Sequence, residues 1–199
     1  GGGGAFARSN VSVVAGSTYY IRVGGVATLS WGNVSNAPPV SVSTGALAAA
    51  GANGVSSTTA GVGGKVACSV GQLTYAGGNG GRQTTSCCGG GGGGGAAGPG
   101  GPGGPGANTS TCKGGTGGYA GGGTYTPAGT VSGNTFNVAA WYVGGKIYGP
   151  GSGGGGGNCI GTLSGGNGGA YGGGGGGSGC NCGTPGSGNN GIVVITYTR

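Results

Sequence analysis

Apolar and polar positions alternate with period two in a few short runs, and nowhere follow the 3.6-residue period of a capped amphipathic helix. Residues 11–14 read as a strand ended by the turn signal Ala15-Gly16-Ser17. Over 18–23, Tyr19, Ile21 and Val23 alternate with Tyr20 and Arg22, which predicts a half-buried strand. Residues 26–31 repeat the pattern, Pro38-Pro39 breaks it and 40–43 resume it. Residues 46–50 read as a strand or a single helical turn, and 65–75 as a strand pair around Gly71. Residues 134–143 predict a strand, and Gly144-Gly145 turns it into a hairpin with Lys146-Ile147-Tyr148. The strongest strand signal is the closing run, Ile192-Val193-Val194-Ile195-Thr196-Tyr197-Thr198, which needs a partner because an exposed apolar edge aggregates. Trp31 and Trp141 are expected to fill a small core rather than to stack on sugars.

Between these runs the period changes to three. Gly89, Gly92, Gly95, Gly98, Gly101 and Gly104 share one register, with Gly-Pro-Gly triplets over 98–106. Shorter triplets occur at Gly77/Gly80, Gly114/Gly117 and Gly165/Gly168. Three residues per turn is the polyproline II period, and such a helix has no internal hydrogen bonds. Its N–H and C=O groups therefore need partners outside the segment. A glycine face lets neighbouring backbones approach closely enough to supply them. Collagen would need three chains and unbroken triplets, but these triplets break at 82–88, 107–113, 124–148 and 158–164. Breaks at such intervals suit one chain folding back on itself, rather than collagen or a flexible linker. Residues 1–76 hold 15 glycines and 77–191 the other 51 of 66, so the internal boundary is placed near residue 76. The expected fold is mostly β and irregular, with essentially no α-helix. It combines a small antiparallel β region (1–76, completed by the closing strand 191–199) with a polyglycine II bundle (77–190) carrying the inserted hairpin 134–148.

Composition then removes most chemistry. The chain has no Asp, Glu or His. Neither paired carboxylates nor a Ser/His/Asp or Cys/His set can be built, and the phosphate-binding Gly-x-x-x-x-Gly-Lys-Ser/Thr pattern is absent. A non-enzymatic protein without cofactor or metal is expected. The net charge of +7 comes from Arg8, Arg22, Lys65, Arg82, Lys113, Lys146 and Arg199, spread without a cluster. Nucleic-acid binders carry a basic stripe, so none is expected as a partner; an acidic polysaccharide or lipopolysaccharide fits better. No stretch approaches the roughly 20 apolar residues of a membrane span. Gly1 opens no signal-peptide pattern, so the chain reads as a mature or truncated piece.

Six of the seven cysteines, Cys87, Cys88, Cys112, Cys159, Cys180 and Cys182, lie in or beside glycine-rich stretches, with Cys68 upstream. Without His or a Cys-x-x-Cys pair, disulfides are a better reading than zinc, and they imply an oxidising, extracellular setting. Adjacent Cys87 and Cys88 are expected to bond elsewhere rather than to each other. An odd count leaves one thiol free or joined to another chain. Asn10, Asn33 and Asn108 open glycosylation sequons. Binding residues concentrate on loops held by a rigid scaffold. Arg82, Lys113, Tyr125, Trp141, Tyr142 and Tyr148 are the receptor-contact candidates.

The layout of residues 1–25, with Gly1 to Phe6, Asn10 to Val14 and Ala15-Gly16-Ser17-Thr18-Tyr19-Tyr20-Ile21-Arg22-Val23-Gly24-Gly25, then long glycine runs and the closing residues 191–198, resembles the glycine-rich domains of phage tail-fibre and virion adhesin proteins. The resemblance covers most of the chain. It implies polyglycine II bundles whose variable loops touch the host receptor. It also implies a strand ahead of the first glycine run that pairs with the closing strand, here missing upstream of Gly1. The partners implied are a host surface glycan or protein receptor and other virion or appendage subunits, in a homo-oligomer or larger assembly. Related glycine-rich regions occur in animal receptor ectodomains and giant-virus surface proteins, and the cysteines depart from ordinary phage fibres. An extracellular filament or coat protein is the alternative. An ice-binding protein is a lesser one, which the irregular aromatic inserts oppose.

Overall fold

Backbone, rather than side chains, forms the centre of this protein. The structure, a computed structural model, describes residues 1–55, 58–84, 89–121, 141–143, 146–161, 164–180 and 183–197. Tyr125, Cys87, Cys88, Cys182 and the first part of the expected strand 134–143, up to residue 140, lie outside them. Among the described residues eleven extended threads follow one another: 1–4, 49–52, 61–64, 76–81, 89–97, 103–107, 114–121, 151–157, 165–169, 172–177 and 184–190. Each is hydrogen-bonded antiparallel to the next.

Thread 89–97 shows why the period is three. Gly90, Gly93 and Ala96 donate to the carbonyls of Gly157, Gly154 and Gly151 at 2.8, 2.7 and 2.8 Å. Gly92 and Gly95 donate to Ala107 and Gly104, and Gly94 and Ala97 to Gly1 and Gly4. In return, the carbonyls of Gly90, Gly93 and Ala96 accept from Gly115, Gly118 and Gly121, each at 2.8 Å. Those of Gly92 and Gly95 accept from Gly81 and Gly78, and those of Gly91 and Gly94 from Gly177 and Gly174. Successive residues thus point to three donor directions and three acceptor directions. The thread touches six neighbours: 1–4, 76–81, 103–107, 114–121, 151–157 and 172–177. This is polyglycine II packing, and it answers the need of an unbonded helix for outside partners. It also dictates the residue type, since a Cβ at Gly93 would fall on the carbonyl of Gly174 and one at Gly95 on that of Tyr119.

The threads alternate in direction, so the connections sort onto two ends. At one end the threads run into strands. Thread 1–4 continues into β1 (Phe6–Arg8), which pairs antiparallel with β5 (Leu73–Tyr75), whose chain enters thread 76–81. The Phe6 and Tyr75 rings stack at 6.2 Å. β2 (Tyr20–Arg22), β3 (Ser30–Asn33) and β4 (Gly45–Ala48) form an antiparallel sheet in that order, and β4 runs into thread 49–52. Phe6, Trp31, Leu47 and Ala49 are buried here. The hairpin β6 (Trp141–Val143) and β7 (Lys146–Tyr148) forms as expected and leads into thread 151–157 from this same end.

The fold is mostly irregular and β with no α-helix among the described residues, as the sequence indicates, but several elements differ. Residues 11–14 and 40–43 are not strands. β2 is exposed throughout rather than half-buried, because it is the edge of its sheet and nothing packs over Ile21, which is 51% exposed. Within 65–75, Val66–Cys68 is a 3-10 turn and β5 pairs with β1 instead of its own neighbour. The closing run shows no ladder over 191–197; it is tied to the β region by the Gly191 N–H, which donates to the Gly24 carbonyl at 3.0 Å. The boundary near residue 76 is crossed, since threads 1–4, 49–52 and 61–64 belong to the bundle. These pieces are too short to show a triplet period.

Candidate functional site at the cysteine-bearing end

At the end opposite the sheets the chain reverses between residues 52 and 61, 81 and 89, 107 and 114, 157 and 165, and 177 and 184. These reversals interrupt the glycine lattice, so here side chains replace backbone as the hydrogen-bonding groups. The Arg82 N–H donates to Asn108 Oδ1 at 3.0 Å, and the Thr109 N–H to the Arg82 carbonyl at 3.0 Å. The Thr84 N–H and hydroxyl both donate to the Thr109 carbonyl at 2.9 Å. Thr109, only 6% exposed, donates its hydroxyl to the carbonyls of Lys113 at 2.7 Å and Thr111 at 3.1 Å. The Thr109 side chain thus knots its own turn, and its backbone N–H and carbonyl fix the neighbouring one. It was not among the sequence candidates; its only signal was its place inside the Asn108 sequon. Asn158 Oδ1 accepts from the Gly114 N–H at 2.8 Å and joins a third reversal to the set.

This scaffold leaves Arg82 and Lys113 exposed. With no Asp or Glu in the chain, neither cation can have an acidic side chain of its own chain as partner. Their field is available to an anion in solution, at ranges of about a Debye length. Asn108 is also exposed on this end.

The structure therefore divides the receptor-contact candidates. Arg82 and Lys113 share the cysteine-bearing end, whereas Trp141, Tyr142 and Tyr148 belong to the hairpin at the sheet end, where Trp141 stands opposite Tyr148 in register. Of the sequons, Asn10 and Asn108 are exposed. Asn33 is a correction: it is 3% exposed, and its Nδ2 donates to Ser35 Oγ at 2.9 Å and to the Ala37 carbonyl at 2.7 Å. A glycan would replace one of the two Nδ2 hydrogens, so at least one of these bonds would be lost.

The cysteines divide in the same way. Cys68 is exposed and free at the sheet end. Cys112, Cys159 and Cys180 meet at the other end, where the Cys159 N–H donates to the Cys112 carbonyl at 2.9 Å. The Cys159 thiol is hydrogen-bonded to Cys180 first and Cys112 second; those bonds, burial and the charge of its neighbours push its pKa up to about 12 from an ordinary 9.0. Among the described residues no group of His, Cys, Asp or Glu is arranged to hold a metal ion. One pH effect follows under reducing conditions. The folded state keeps the Cys159 proton where the unfolded chain has lost it, so Cys159 contributes stability in full below pH 9, and that contribution is lost as pH rises towards 12. Melting temperatures across that window are expected to fall more steeply in the wild-type protein than in Cys159→Ser; equal slopes would refute the assignment.

Among the described residues no helix is long and apolar enough to cross a membrane. No family model, no curated protein and no solved structure matches the chain.

Proposed function

We propose that this chain is a non-enzymatic structural and receptor-binding component of a virion fibre or surface appendage, with the cysteine-bearing end as the face presented to the host. The observation that carries this reading is the sorting of the connections. A backbone-cored bundle holds the reversals at one end, and these are tied by Asn108, Thr109 and Asn158, with the cations Arg82 and Lys113 exposed among them. Rigid presentation lowers the ordering cost of binding. Uncompensated positive charge speeds encounter with an anionic surface. The partner that fits is an acidic host glycan, such as a polysaccharide or lipopolysaccharide. The absence of Asp, Glu and His from the sequence supports display over catalysis.

The test is binding of the intact protein to immobilised acidic and neutral glycans. Arg82→Glu with Lys113→Glu is expected to abolish retention on acidic glycans while changing stability by no more than about 0.5 kcal/mol, as for exposed positions. Retention that is unaffected by the double charge reversal would sink the reading. If the protein instead assembles end to end into filaments and binds no glycan, the extracellular filament reading replaces it.

A further inference from the structure

Three of the seven cysteines come from reversals that are far apart in sequence yet share one place. Cys112 lies between threads 103–107 and 114–121, Cys159 directly after thread 151–157, and Cys180 directly after thread 172–177. These threads are lattice neighbours, so their ends are brought together by the packing. The backbone bond from Cys159 to Cys112 at 2.9 Å sets the two residues side by side, and the Cys159 thiol is hydrogen-bonded to both Cys180 and Cys112. On the other side a Cβ at Gly179 would meet the carbonyl of Asn158, which places Cys180 next to Cys159. Cys180 itself adopts φ +26, a left-handed conformation that a residue with a side chain rarely takes. Such outliers persist where the surroundings over-determine them, and they cluster at functional sites.

We propose that Cys159 is the shared partner of an exchangeable disulfide, bonded either to Cys180 or to Cys112, with the remaining thiol able to move the bond from one to the other. The site lies beside Arg82 and Lys113, but the proposal stands whether or not that end binds a receptor.

The chemistry balances with a small-molecule disulfide as oxidant. The Cys180 thiolate attacks oxidised glutathione, forming a mixed disulfide and releasing one glutathione thiol. Cys159 then gives up its proton and attacks the Cys180 sulfur, releasing the second glutathione. Two protein thiols are oxidised and one glutathione disulfide is reduced. Exchange needs no further oxidant: the Cys112 thiolate attacks the Cys159 sulfur, a Cys112–Cys159 bond forms, and Cys180 leaves as a thiol. Cys159 is suited to the middle position because it lies within hydrogen-bond reach of both Cys180 and Cys112. Bond position decides which reversals are stapled. Cys159–Cys180 joins the reversal after 157 to that after 177, and Cys112–Cys159 joins it instead to the turn that carries Lys113.

Disulfide mapping of the intact protein, equilibrated in oxidised and reduced glutathione, acid-quenched and alkylated, tests this. Cleavage after Tyr119, Tyr148 and Tyr171 leaves Cys112, Cys159 and Cys180 on separate peptides, and fragment sequencing of each linked pair separates Cys112 from Cys87 and Cys88, and Cys180 from Cys182. The wild-type protein is expected to show both Cys159–Cys180 and Cys112–Cys159 links. Cys112→Ser should leave only the first, Cys180→Ser only the second, and Cys159→Ser neither. Oxidised protein freed of glutathione and held at pH 8 should redistribute between the two links, and Cys112→Ser should stop this. The proposal fails if wild-type Cys159 is alkylated while Cys112 and Cys180 are oxidised. It fails equally if Cys159 pairs with Cys87, Cys88 or Cys182, or if Cys112 joins Cys180 as readily in Cys159→Ser as Cys159 joins either in wild type. The wild-type map decides even if a variant does not fold.

Discussion

Gly93→Ala is expected to destabilise the protein by about 3 kcal/mol or more, the upper range of overpacking effects. For a chain of this size that is a fall in melting temperature of roughly 6–12 °C. Gly93 sits in the middle of thread 89–97. Its N–H donates to Gly154, and its carbonyl accepts from Gly118. A methyl group there would strike the Gly174 carbonyl. The obstacle is backbone belonging to another thread, so no rotamer change relieves it. Either the threads separate locally and their hydrogen bonds are strained, or the lattice shifts around the site. Gly25→Ala is the control. Its Cβ would meet only Thr28 Oγ1 at 3.7 Å and Asn190 Oδ1 at 3.9 Å, ordinary contacts. There the loss of unfolded-state freedom should give a gain of about 0.4–1 kcal/mol. Both expectations are checked by thermal or denaturant unfolding of the intact chain. A Gly93→Ala protein within about 1 kcal/mol of wild type would mean that the glycine threads are not close-packed.

Trp31→Ala should cost about 3–5 kcal/mol, the range for emptying a large aromatic site, whereas Trp31→Phe should cost less than about 1.5 kcal/mol. Trp31 is 6% exposed in the central strand β3, where it stands opposite Arg22 on β2 and Leu47 on β4. Truncation to alanine leaves a cavity beneath a sheet of only three strands. Phenylalanine retains most of the volume and removes the indole N–H, which is buried without a hydrogen-bond partner among the described residues. An unpaired buried donor costs about 1–3 kcal/mol, so its removal offsets much of the lost packing. Equal costs for the two substitutions would show that the N–H has a partner and that shape alone does not set the stability of this sheet.

Trp31 as core was legible in the sequence because a large apolar residue within an alternating run has few other uses. The hairpin at 141–148 was legible from its Gly-Gly turn. The reversals at 107–113 and 158–164 were legible because non-glycine residues interrupt the triplets there. The reversals at 99–100 and 170–171 were not. At 99–100 the turn is Pro-Gly inside a run that keeps its glycine register, with Gly98 and Gly101 bonded to each other on either side. At 170–171 it depends on Gly172 at φ +82, one glycine in a run of six. Threads 1–4, 49–52 and 61–64 were hidden because a piece of four residues carries no readable period. The closing run was over-read. Its β-branched residues favour a strand, but β propensity expresses packing against neighbours, and among the described residues no strand pairs with 191–197.

The sequence by itself determined the class of core. A third of the residues have no side chain to bury, and a period of three requires outside hydrogen-bond partners, so the centre had to be backbone against backbone. The absence of Asp, Glu and His likewise set the narrow range of available chemistry. Only the tertiary structure decided which thread neighbours which, because glycine lattice positions are alike and the sequence does not distinguish them. It is the alternation of thread direction that sends Cys112, Cys159, Cys180, Arg82 and Lys113 to one end and Cys68, Trp31 and the hairpin to the other. Residues 47 and 21 positions apart become neighbours there because the threads that carry them are adjacent in the lattice.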